Sequence, residues 1–423
     1  MRRPMIEKPR PAPWPDDREA APSPFSPAHL SGRTIAVIKF SGWGTLLNLS
    51  FFFEGLRRRF RDATILLVTD VANESLATRL PWTDDLLTKE ESAGGFGSSL
   101  KGMTALAGRL RARAPALVVD LQLFRDRRLS LALAMASGAR WRVGFVGASD
   151  RARFRLLTHP IFFNAHQPSH RAMEQAALLL GLPGLTVSPH DGFLTESPND
   201  RLEVVRALGG FPDGRPLLVM NPNTSNRAPE RRWPTDNFRE VARRLATRHP
   251  SLRIALCGSA ADQRSNGRVL EGLPGGKDRL VNLAGKLSFG GLIALLRRAD
   301  VFLSNDTGPL HLALRLRTPT VALFGPTRPD LVLMDLSPSR LIALYDPHYC
   351  SPCLYHVARP PCDGDNVCLT SLSVERVLAA VESLLRGDRV PEEKRVVGPD
   401  RLATRDPRGL PLARFRRRPG DPP

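Results

Sequence analysis

The most informative part of the sequence is DVFLSNDTGPLHLALRLRTPTVALFGPT, residues 300–327. An apolar run ends at the turn NDTG, and a helix is predicted to begin with Pro309, where a missing backbone N–H costs nothing. The free N–H groups and the positive end of the helix dipole favour anions at such a turn. Thr307 adds a hydroxyl, and His311 lies in the first helical turn. The alternative is that the turn only caps the helix and His311 packs.

Apolar runs alternate with helical patterns on both sides of this stretch. In the second half, strands are predicted at residues 215–223, 253–258, 300–304 and 320–324, and helices at residues 235–248, 289–299 and 309–316. The first half has strand-like runs at residues 34–40, 63–69, 115–122 and 142–145, and a helical pattern at residues 46–60. This alternation is typical of parallel sheets covered on both faces, so two series imply two doubly wound α/β domains.

Composition predicts four segments along the chain. Residues 1–31 are rich in proline and carry no periodic apolar pattern, which predicts a disordered arm. Residues 32–200 and 201–386 are the two predicted domains. Residues 387–423 are again rich in proline and contain an Arg-Arg-Arg run, so we expect a disordered basic tail.

The net charge narrows the classes of partner. The chain has 423 residues, with 61 Lys and Arg against 42 Asp and Glu, a formal charge of +19. A basic body suits nucleotides, nucleic acid or an anionic membrane surface, although arginine used as a general solvated residue explains it equally well. Aromatic residues make up only 6% of the chain, which gives little base stacking and disfavours nucleic acid. No apolar run reaches bilayer length and no secretory signal pattern is present, so we expect a soluble cytoplasmic protein.

A second turn with chemical potential is NPNTSNRAPERRWPTDNF, residues 221–238. Asn223 and Thr224 follow a buried strand, and Arg231 comes shortly after them. Hydroxyl and guanidinium groups at a strand end suit diphosphate oxygens. A solvated arginine loop is the alternative.

The third turn is FSGWGTLL, residues 40–47. Gly42 and Gly44 match two glycines of a dinucleotide-binding fingerprint, but Leu47 occupies the third glycine position, so the indication of an NAD site is weak. Asp70 and Asp120 end two strands of this half and are candidates to line a site or to form structural hydrogen bonds.

Four of the five cysteines form a cluster: Cys350, Cys353, Cys362 and Cys368. In a cytoplasmic protein this clustering favours structural zinc over disulfides, although the spacing is not that of a standard zinc ribbon. Zinc, disulfides and free thiols therefore remain open, each as a way to hold a loop. Cys257, alone on a strand, is expected in the core.

Taken together, these residues resemble a known family. Residues 300–327 are similar to the signature of glycosyltransferase family 9, which includes the ADP-heptose:lipopolysaccharide heptosyltransferases. Five further motifs support the resemblance, namely DLQLFRDRR, WRVGF, ERRWP, CGSAAD and NLAGKLSF at residues 120–128, 141–145, 230–234, 257–262 and 282–289. The resemblance covers about residues 34–385.

The resemblance implies an α/β GT-B fold, two doubly wound Rossmann-like domains facing a cleft. The N-terminal domain would hold the acceptor and the C-terminal domain the nucleotide-sugar donor, with a helix at about residues 373–385 crossing back to the N-terminal domain. Catalysis would require no cofactor or metal ion. By position, the donor-binding residues would be Asn223, Thr224, Arg231 (where the family usually has Lys), Asp262, Lys286, Leu287, Asp306, Thr307, Gly308 and His311.

One departure from the family concerns the catalytic base. The family commonly has Gly-Asp in the first turn, and that Asp is taken to deprotonate the acceptor, but here the pair is Gly44-Thr45. A threonine hydroxyl cannot accept that proton at neutral pH. Three explanations compete: another carboxylate serves, with Asp70 and Asp120 as candidates; the acceptor needs little help from a base; or transfer has been lost.

The resulting expectation is an inverting glycosyltransferase that moves a heptose-like sugar from a nucleoside diphosphate donor to a lipopolysaccharide-core or other cell-envelope saccharide. It would act in the cytoplasm, peripheral to the inner membrane, with an ADP-heptose-like donor, a glycolipid or saccharide acceptor and an anionic membrane surface as partners. The alternatives are a non-catalytic nucleotide-sugar or glycan-binding protein that has lost the base, and an NAD-dependent oxidoreductase, which Leu47 disfavours.

Overall fold

The structure is a computed structural model, and the chain in it divides into two compact units, Met1–Thr195 and Glu196–Pro423. It describes residues 23–40, 42–89, 96–124, 126–147, 150–164, 169–183, 193–210, 214–225, 228–276, 278–333, 340–348, 350–354, 357, 360–388 and 396–397. Each unit is built around a parallel sheet with helices on its faces.

The first unit contains a six-stranded parallel sheet in the order β3-β2-β1-β4-β5-β6. Its strands are β1 (Thr34–Ile38), β2 (Thr64–Asp70), β3 (Asp85–Lys89), β4 (Pro115–Asp120), β5 (Trp141–Val146) and β6 (His159–Phe162). Its helices are α1 (Pro27–Leu30), α2 (Trp43–Asn48), α3 (Ser50–Arg59), α4 (Glu74–Ala77), α5 (Phe96–Arg111), α6 (Arg127–Ala136), α7 (Arg151–Leu156) and α8 (Ser169–Leu179).

The second unit contains a seven-stranded parallel sheet in the order β13-β12-β11-β10-β7-β8-β9. Its strands are β7 (Leu217–Asn221), β8 (Arg253–Leu256), β9 (Leu280–Asn282), β10 (Val301–Asn305), β11 (Thr320–Phe324), β12 (Leu341–Tyr345) and β13 (Val396–Val397). Its helices are α9 (Pro198–Ala207), α10 (Thr235–Arg248), α11 (Gln263–Leu270), α12 (Phe289–Arg298), α13 (Gly308–Arg315), α14 (Pro329–Val332), α15 (Val367–Thr370) and α16 (Val374–Leu385).

Both sheets place their first and fourth strands side by side. In the first unit β1 pairs with β4, and in the second β7 pairs with β10, with Ser304 opposite Asn221. The chain winds outward in opposite directions from each of these pairs, which makes them the points where strand order reverses. Ligands of open parallel sheets bind beyond the carboxyl ends of the strands at such points. The doubly wound α/β organisation expected from the sequence is confirmed.

The helical pattern at residues 46–60 forms two helices rather than one. Helix α2 ends at Asn48 and α3 begins at Ser50, because Leu49 has φ −90° and ψ 1° and interrupts the helix. The apolar side chains on both sides of Leu49 are buried. The apolar pattern therefore continues through the break, and nothing in it marks the change of helix.

The predicted disordered arm differs from the structure over residues 23–31. Phe25 and Leu30 are buried, and the Phe25 ring packs edge-on against Trp141, with ring centroids 6.1 Å apart. The Ser23 hydroxyl donates to the Leu179 carbonyl at 2.7 Å. These contacts hold residues 23–31 on the first unit, and residues 1–22 lie outside the described part of the chain.

The C-terminal region holds two further differences. Within the predicted tail, Val396 and Val397 pair in parallel with β12, while residues 398–423 lie outside the described part. Helix α16 buries an apolar face in the core of the second unit, where it packs against α10. Its expected crossover to the first unit stays a prediction. No described helix has the length and apolar character to cross a bilayer.

The loop between β9 and α12 depends on one glycine. Gly285 has φ +69°, and a Cβ atom there would lie 2.7 Å from the Ala260 Cα. Gly209 has a similar φ of +72° but open space around it. We expect Gly209→Ala to cost about 1–2 kcal/mol for the left-handed backbone, and Gly285→Ala to cost roughly a further 1–3 kcal/mol for overpacking.

Urea unfolding of the two variants measures this difference directly. Equal losses of unfolding free energy would show that the contact between Gly285 and Ala260 does not constrain this loop.

Candidate donor site at the strand switch of the second unit

The turns after β7 and β10 lie at the point where strand order reverses in the second unit. Residues 222–225 follow β7, and Asp306 and Thr307 follow β10 before α13 begins at Gly308. Pro309 occupies the first turn of α13, as the sequence predicts. No side chain caps this helix, so the alternative that Thr307 serves as its cap is not what the structure shows.

Asp306 is the charged centre of these turns, with only 2% of its surface exposed. Its Oδ2 accepts a hydrogen bond from the Thr327 hydroxyl at 2.8 Å and lies 3.4 Å from Nη1 of Arg231. Its Oδ1 lies 3.7 Å from Nε2 of His311. Residues from three separate loops therefore meet at one carboxylate.

The protonation state of Asp306 follows from these neighbours. Burial on its own would raise the pKa of this carboxyl. The Arg231 guanidinium, His311 and the Thr327 hydroxyl together outweigh burial and hold the pKa of Asp306 well below its usual range. The carboxylate is therefore ionised at neutral pH, and it holds two basic side chains at the end of the sheet.

Two asparagines that the sequence analysis missed connect the turns. Asn305 is fully buried, accepts from the Trp233 backbone N–H at 3.0 Å and donates to the Pro222 carbonyl at 2.9 Å. Asn221 donates to the Thr307 hydroxyl oxygen at 3.0 Å. The sequence did contain a signal for both residues. Each is a polar amide at the last position of an otherwise apolar strand, where packing in the core does not account for it.

Trp233 anchors the loop that carries Arg231 to the core of the second unit. Its side chain is fully buried, its Nε1 donates to the Leu372 carbonyl at 3.0 Å, and its ring packs edge-on against Phe238 with centroids 5.0 Å apart. Arg231 ends a short 3-10 turn, Pro229–Arg231, two residues before this anchor. The apolar anchor thus fixes the loop from which Arg231 reaches Asp306.

The third loop, residues 325–327, is held by the cysteine-containing segment. The Pro326 carbonyl accepts from the backbone N–H of Cys353 at 3.2 Å. A Cβ atom on Gly325 would lie 2.5 Å from the Leu369 side chain, so this position has room for glycine only. Close packing here sets the position of Thr327 and of its hydrogen bond to Asp306.

The cysteines are free thiols in the structure. A hydrogen bond from the Cys353 thiol lowers the pKa of Cys350 to about 7. Among the described residues, no three His, Cys, Asp or Glu side chains are arranged to hold a metal ion. Cys353 interacts electrostatically with Cys350, Cys362 and Cys368, so the four thiols lie in one cluster, and a structural metal ion there stays a prediction. Cys257 is buried directly after β8, as expected for a core residue.

The other donor residues expected by position lie in varied surroundings. The Asn223 amide nitrogen donates to Asn266 Oδ1 at 2.7 Å, and its amide oxygen accepts from the Ser265 hydroxyl at 2.8 Å. Asp262 accepts from the backbone and hydroxyl of Ser259 in a capping box. These contacts stabilise loops near the strand ends, and donor binding by either side chain stays a prediction.

Thr224 is different from these two. Its side-chain oxygen is buried and has no hydrogen-bond partner among the described residues. Leu287 is half-buried and Lys286 is exposed. Lys286 lines a surface cavity together with residues of α9, namely Asn199, Leu202, Glu203, Arg206 and Ala207.

The candidate bases of the first unit divide into two groups. Thr45 lies half-buried in the first turn of α2. Asp120 is fully buried in an ion pair with Arg153, and Asp70 is buried with its Oδ1 3.0 Å from the Lys89 Nζ. Both carboxylates are therefore occupied by cations.

Lys39 adds a further charge at this end of the first sheet. It is buried, and its Nζ donates to the Leu121 carbonyl at 2.5 Å. Burial lowers the pKa of Lys39 to about 8, against the opposing effect of Asp120.

A family model decides the relationship of this chain to known proteins. The model described as glycosyltransferase family 9 (heptosyltransferase) matches residues 103–360, which include every turn around Asp306. The chain belongs to glycosyltransferase family 9. This confirms the resemblance drawn from the sequence motifs.

Curated relatives of this family 9 member match over part of their length. The chain is 29% identical over 179 residues to lipopolysaccharide heptosyltransferase 2 of Salmonella typhimurium, covering 42% of this chain and 49% of that protein. It is 31% identical over 245 residues to lipopolysaccharide heptosyltransferase 1 of Pseudomonas aeruginosa, covering 55% of this chain and 63% of that protein. The matches therefore span about half to two thirds of the relatives.

Solved structures extend the similarity at the level of fold. The structure of E. coli ADP-heptose lps heptosyltransferase II matches with a TM-score of 0.61 and 20% identity, covering 84% of this chain and 99% of that chain. The family 9 glycosyl transferase from Veillonella parvula matches with a TM-score of 0.65 and 20% identity, covering 85% and 99%. The family 9 member therefore has the GT-B fold of two Rossmann-like units.

The depressed pKa of Asp306 makes a prediction about acid stability. Its pKa is lower in the folded than in the unfolded chain, so its contribution to stability is fully present above about pH 4 and is lost as pH falls toward the folded-state pKa. Asp306→Asn lacks this contribution. We expect the wild type to exceed Asp306→Asn in unfolding free energy at pH 7, and the difference to shrink below about pH 4.

Guanidinium unfolding between neutral and acidic pH provides the measurement. Asp236→Asn, at an exposed aspartate of α10 that forms no ion pair with any described residue, is the matched control and should show a much smaller pH-dependent difference. A difference for Asp306→Asn that stays constant to acid pH would contradict the assignment.

Proposed function

We propose that this chain is an inverting glycosyltransferase that moves a heptose-like sugar from a nucleoside diphosphate donor to a lipopolysaccharide-core or other cell-envelope saccharide. The observation that carries the proposal is the convergence of Arg231, His311 and the start of α13 on Asp306 at the strand switch. Membership of family 9 and the similarity to two lipopolysaccharide heptosyltransferases support the same activity.

The donor diphosphate would lie against the start of α13. Backbone N–H groups there are not capped by a side chain, and the helix dipole favours negative charge. Arg231 would neutralise the charge that develops as the diphosphate leaves, and this needs no metal ion. The unpartnered Thr224 hydroxyl offers a further donor for a phosphate oxygen.

Asp306 would act on the donor through its neighbours. A carboxylate repels a diphosphate, so its direct contact with the phosphates is unfavourable. It can instead hold Arg231 and His311 in place, and it can accept hydrogen bonds from sugar hydroxyls. We therefore assign Asp306 a positioning role toward the diphosphate and a binding role toward the sugar.

The acceptor side of the reaction depends on Thr45. Because Asp70 and Asp120 are buried in ion pairs, neither offers a free carboxylate for proton abstraction. Of the three explanations for the missing base, we therefore favour an acceptor that needs little help from a base. The same observation favours a second candidate function, a nucleotide-sugar-binding protein without transfer activity.

The proposed acceptor also suggests where in the cell the reaction takes place. A lipid-linked saccharide is presented at a membrane surface, and the formal charge of +19 suits an anionic surface. We propose a cytoplasmic protein that is peripheral to the inner membrane.

A nucleotide-sugar panel tests the proposed function. Purified protein is incubated with ADP-heptose and other nucleotide sugars, with and without envelope glycolipid extract, and released nucleoside diphosphate is quantified. Release from one donor that depends on acceptor is expected. Donor binding without release would support the second candidate, and stabilisation by NADH but by no nucleoside diphosphate would contradict both.

Arg231 provides a prediction for donor affinity. Arg231→Gln should weaken nucleoside diphosphate binding by about 10–100-fold, because one charge-assisted contact is worth about 1.5–3 kcal/mol. Arg231→Lys keeps the charge and should retain most of the affinity. Arg268→Gln, at an exposed position of α11, is the charge-matched control. Calorimetric titration that shows equal affinity for Arg231→Gln and the control would refute this role.

Thr45 provides a prediction for the rate of transfer. Because we favour an acceptor that needs little help from a base, we expect Thr45→Asp to leave kcat near that of the wild type. Thr45→Ser, which adds no base, is the control and should also leave kcat unchanged. A rise of kcat by about 100-fold in Thr45→Asp alone, the lower end of the effect of a general base, would show that proton abstraction limits the rate and would contradict this explanation.

A further inference from the structure

The first unit carries an exposed aromatic pair that the proposed donor chemistry does not use. Phe154 in α7 is 47% exposed and Phe162 at the end of β6 is 63% exposed, and their ring centroids lie 5.7 Å apart. Leu156, two residues after Phe154 at the end of α7, is 39% exposed. We refer to these three residues with Arg151 and Arg155 as the Phe154 patch.

The aromatic pair lies on the outer strand of the sheet. Strand β6 pairs with β5 on one side and is last in the strand order of the first sheet. Phe163, the next residue, turns the other way and packs against Phe145, with centroids 5.8 Å apart. The core therefore takes Phe163 and leaves Phe162 in solvent, although burying a ring of this size is strongly favourable. Contiguous exposed apolar side chains of this kind mark an interaction surface.

The charges of α7 are divided between its two faces. Arg153 is buried against Asp120, and Asp150 before the helix is taken up by Arg127. Arg151 and Arg155 are exposed and form no ion pair with any described residue. Positions 151, 154 and 155 share one helical face, so both free guanidinium groups flank the Phe154 ring.

We propose that the Phe154 patch docks the first unit onto an anionic lipid bilayer. Aromatic rings inserted at the level of the headgroups, with arginines beside them, combine the apolar and electrostatic terms that hold peripheral proteins on anionic leaflets. The carboxylate next to this face, Asp150, is already paired with Arg127, so the charge that the patch presents is positive and favours an anionic surface over a mixed-charge protein partner. The inference rests on the proposed function only for the reason why the protein would bind a bilayer. Bilayer binding itself requires neither donor nor acceptor.

Vesicle co-sedimentation of the full chain tests the proposal. The probes are vesicles of phosphatidylethanolamine and phosphatidylglycerol, and vesicles of phosphatidylcholine alone. We expect binding to the anionic vesicles that weakens with salt, and little binding to the neutral ones. Arg151→Gln with Arg155→Gln should reduce anionic-vesicle affinity by roughly 25-fold, from about fivefold for each arginine. Phe154→Ser with Phe162→Ser should reduce it by about tenfold or more on both a low-salt and a physiological-salt background.

A matched control separates the patch from general surface hydrophobicity. Leu202→Ser changes an apolar side chain that is 49% exposed in the second unit, and it should leave vesicle binding unchanged. Melting temperatures of all variants should match the wild type, since the altered side chains are exposed.

Two results would overturn the proposal. The first is wild-type vesicle binding by the Phe154→Ser, Phe162→Ser variant, which would assign binding to another segment such as the basic C-terminal residues. The second is a wild-type dimer in light scattering that the same variant converts to a monomer, without vesicle binding by either, which would assign the patch to a second copy of the chain. If the wild type shows no transfer in the nucleotide-sugar panel, the proposed function fails but the vesicle-binding result is unaffected. Failure of one proposal can therefore be distinguished from failure of the other.

Discussion

A carboxylate buried at the end of a parallel strand needs positive charge or hydrogen-bond donors around it, since an isolated buried charge is strongly unfavourable. Asp306 meets this requirement with Arg231, His311 and Thr327, each of which comes from a different part of the second unit. The positions of three loops therefore depend on one ionised group. The buried amide of Asn305 ties two of these loops together, and Trp233 fixes the arginine loop to the core below.

The two units show how the same topology can support different chemistry. Both reverse strand order between their first and fourth strands, which opens the carboxyl ends of those strands to ligands. In the second unit the buried Asp306 leaves Arg231 and His311 at the mouth of the turn. In the first unit the strand-end carboxylates Asp70 and Asp120 are consumed by ion pairs within the unit. The electrostatics thus favour an anionic ligand in the second unit, whereas the two strand-end carboxylates described in the first unit are already paired with Lys89 and Arg153.

Periodicity and turn chemistry predicted the elements that carry their own signal. Helix α10 and strand β11 have the bounds expected from the sequence, because a polar start, an apolar stripe and a following turn mark each of them. The NDTG turn was located because a strand end, a Pro at the helix start and a basic residue coincide there. Sequence patterns also indicated Arg231 as a candidate for diphosphate binding, but they gave no indication of its ion pair with Asp306.

Other features depend on contacts between distant segments and left no local signal. Phe25 and Leu30 are buried although proline and polar residues surround them in the sequence. The Phe25 ring packs against Trp141, which is so distant along the chain that no local pattern indicates the contact. Asn305 joins Pro222 and Trp233 across 83 and 72 residues, and Asn223 joins Asn266 and Ser265 across 43 and 42 residues. Position in a family motif indicates which loop carries a residue. It does not reveal which side chains form hydrogen bonds or ion pairs within the fold.

The claim that the second unit binds a diphosphate at this turn is tested most directly by calorimetric titration of the wild type with ADP, AMP and adenosine. We expect ADP to bind about tenfold or more tightly than AMP, because the second phosphate gains charge-assisted contacts with Arg231 and the start of α13. We also expect the advantage of ADP to shrink as salt is raised. Equal affinities for ADP and AMP, insensitive to salt, would contradict it.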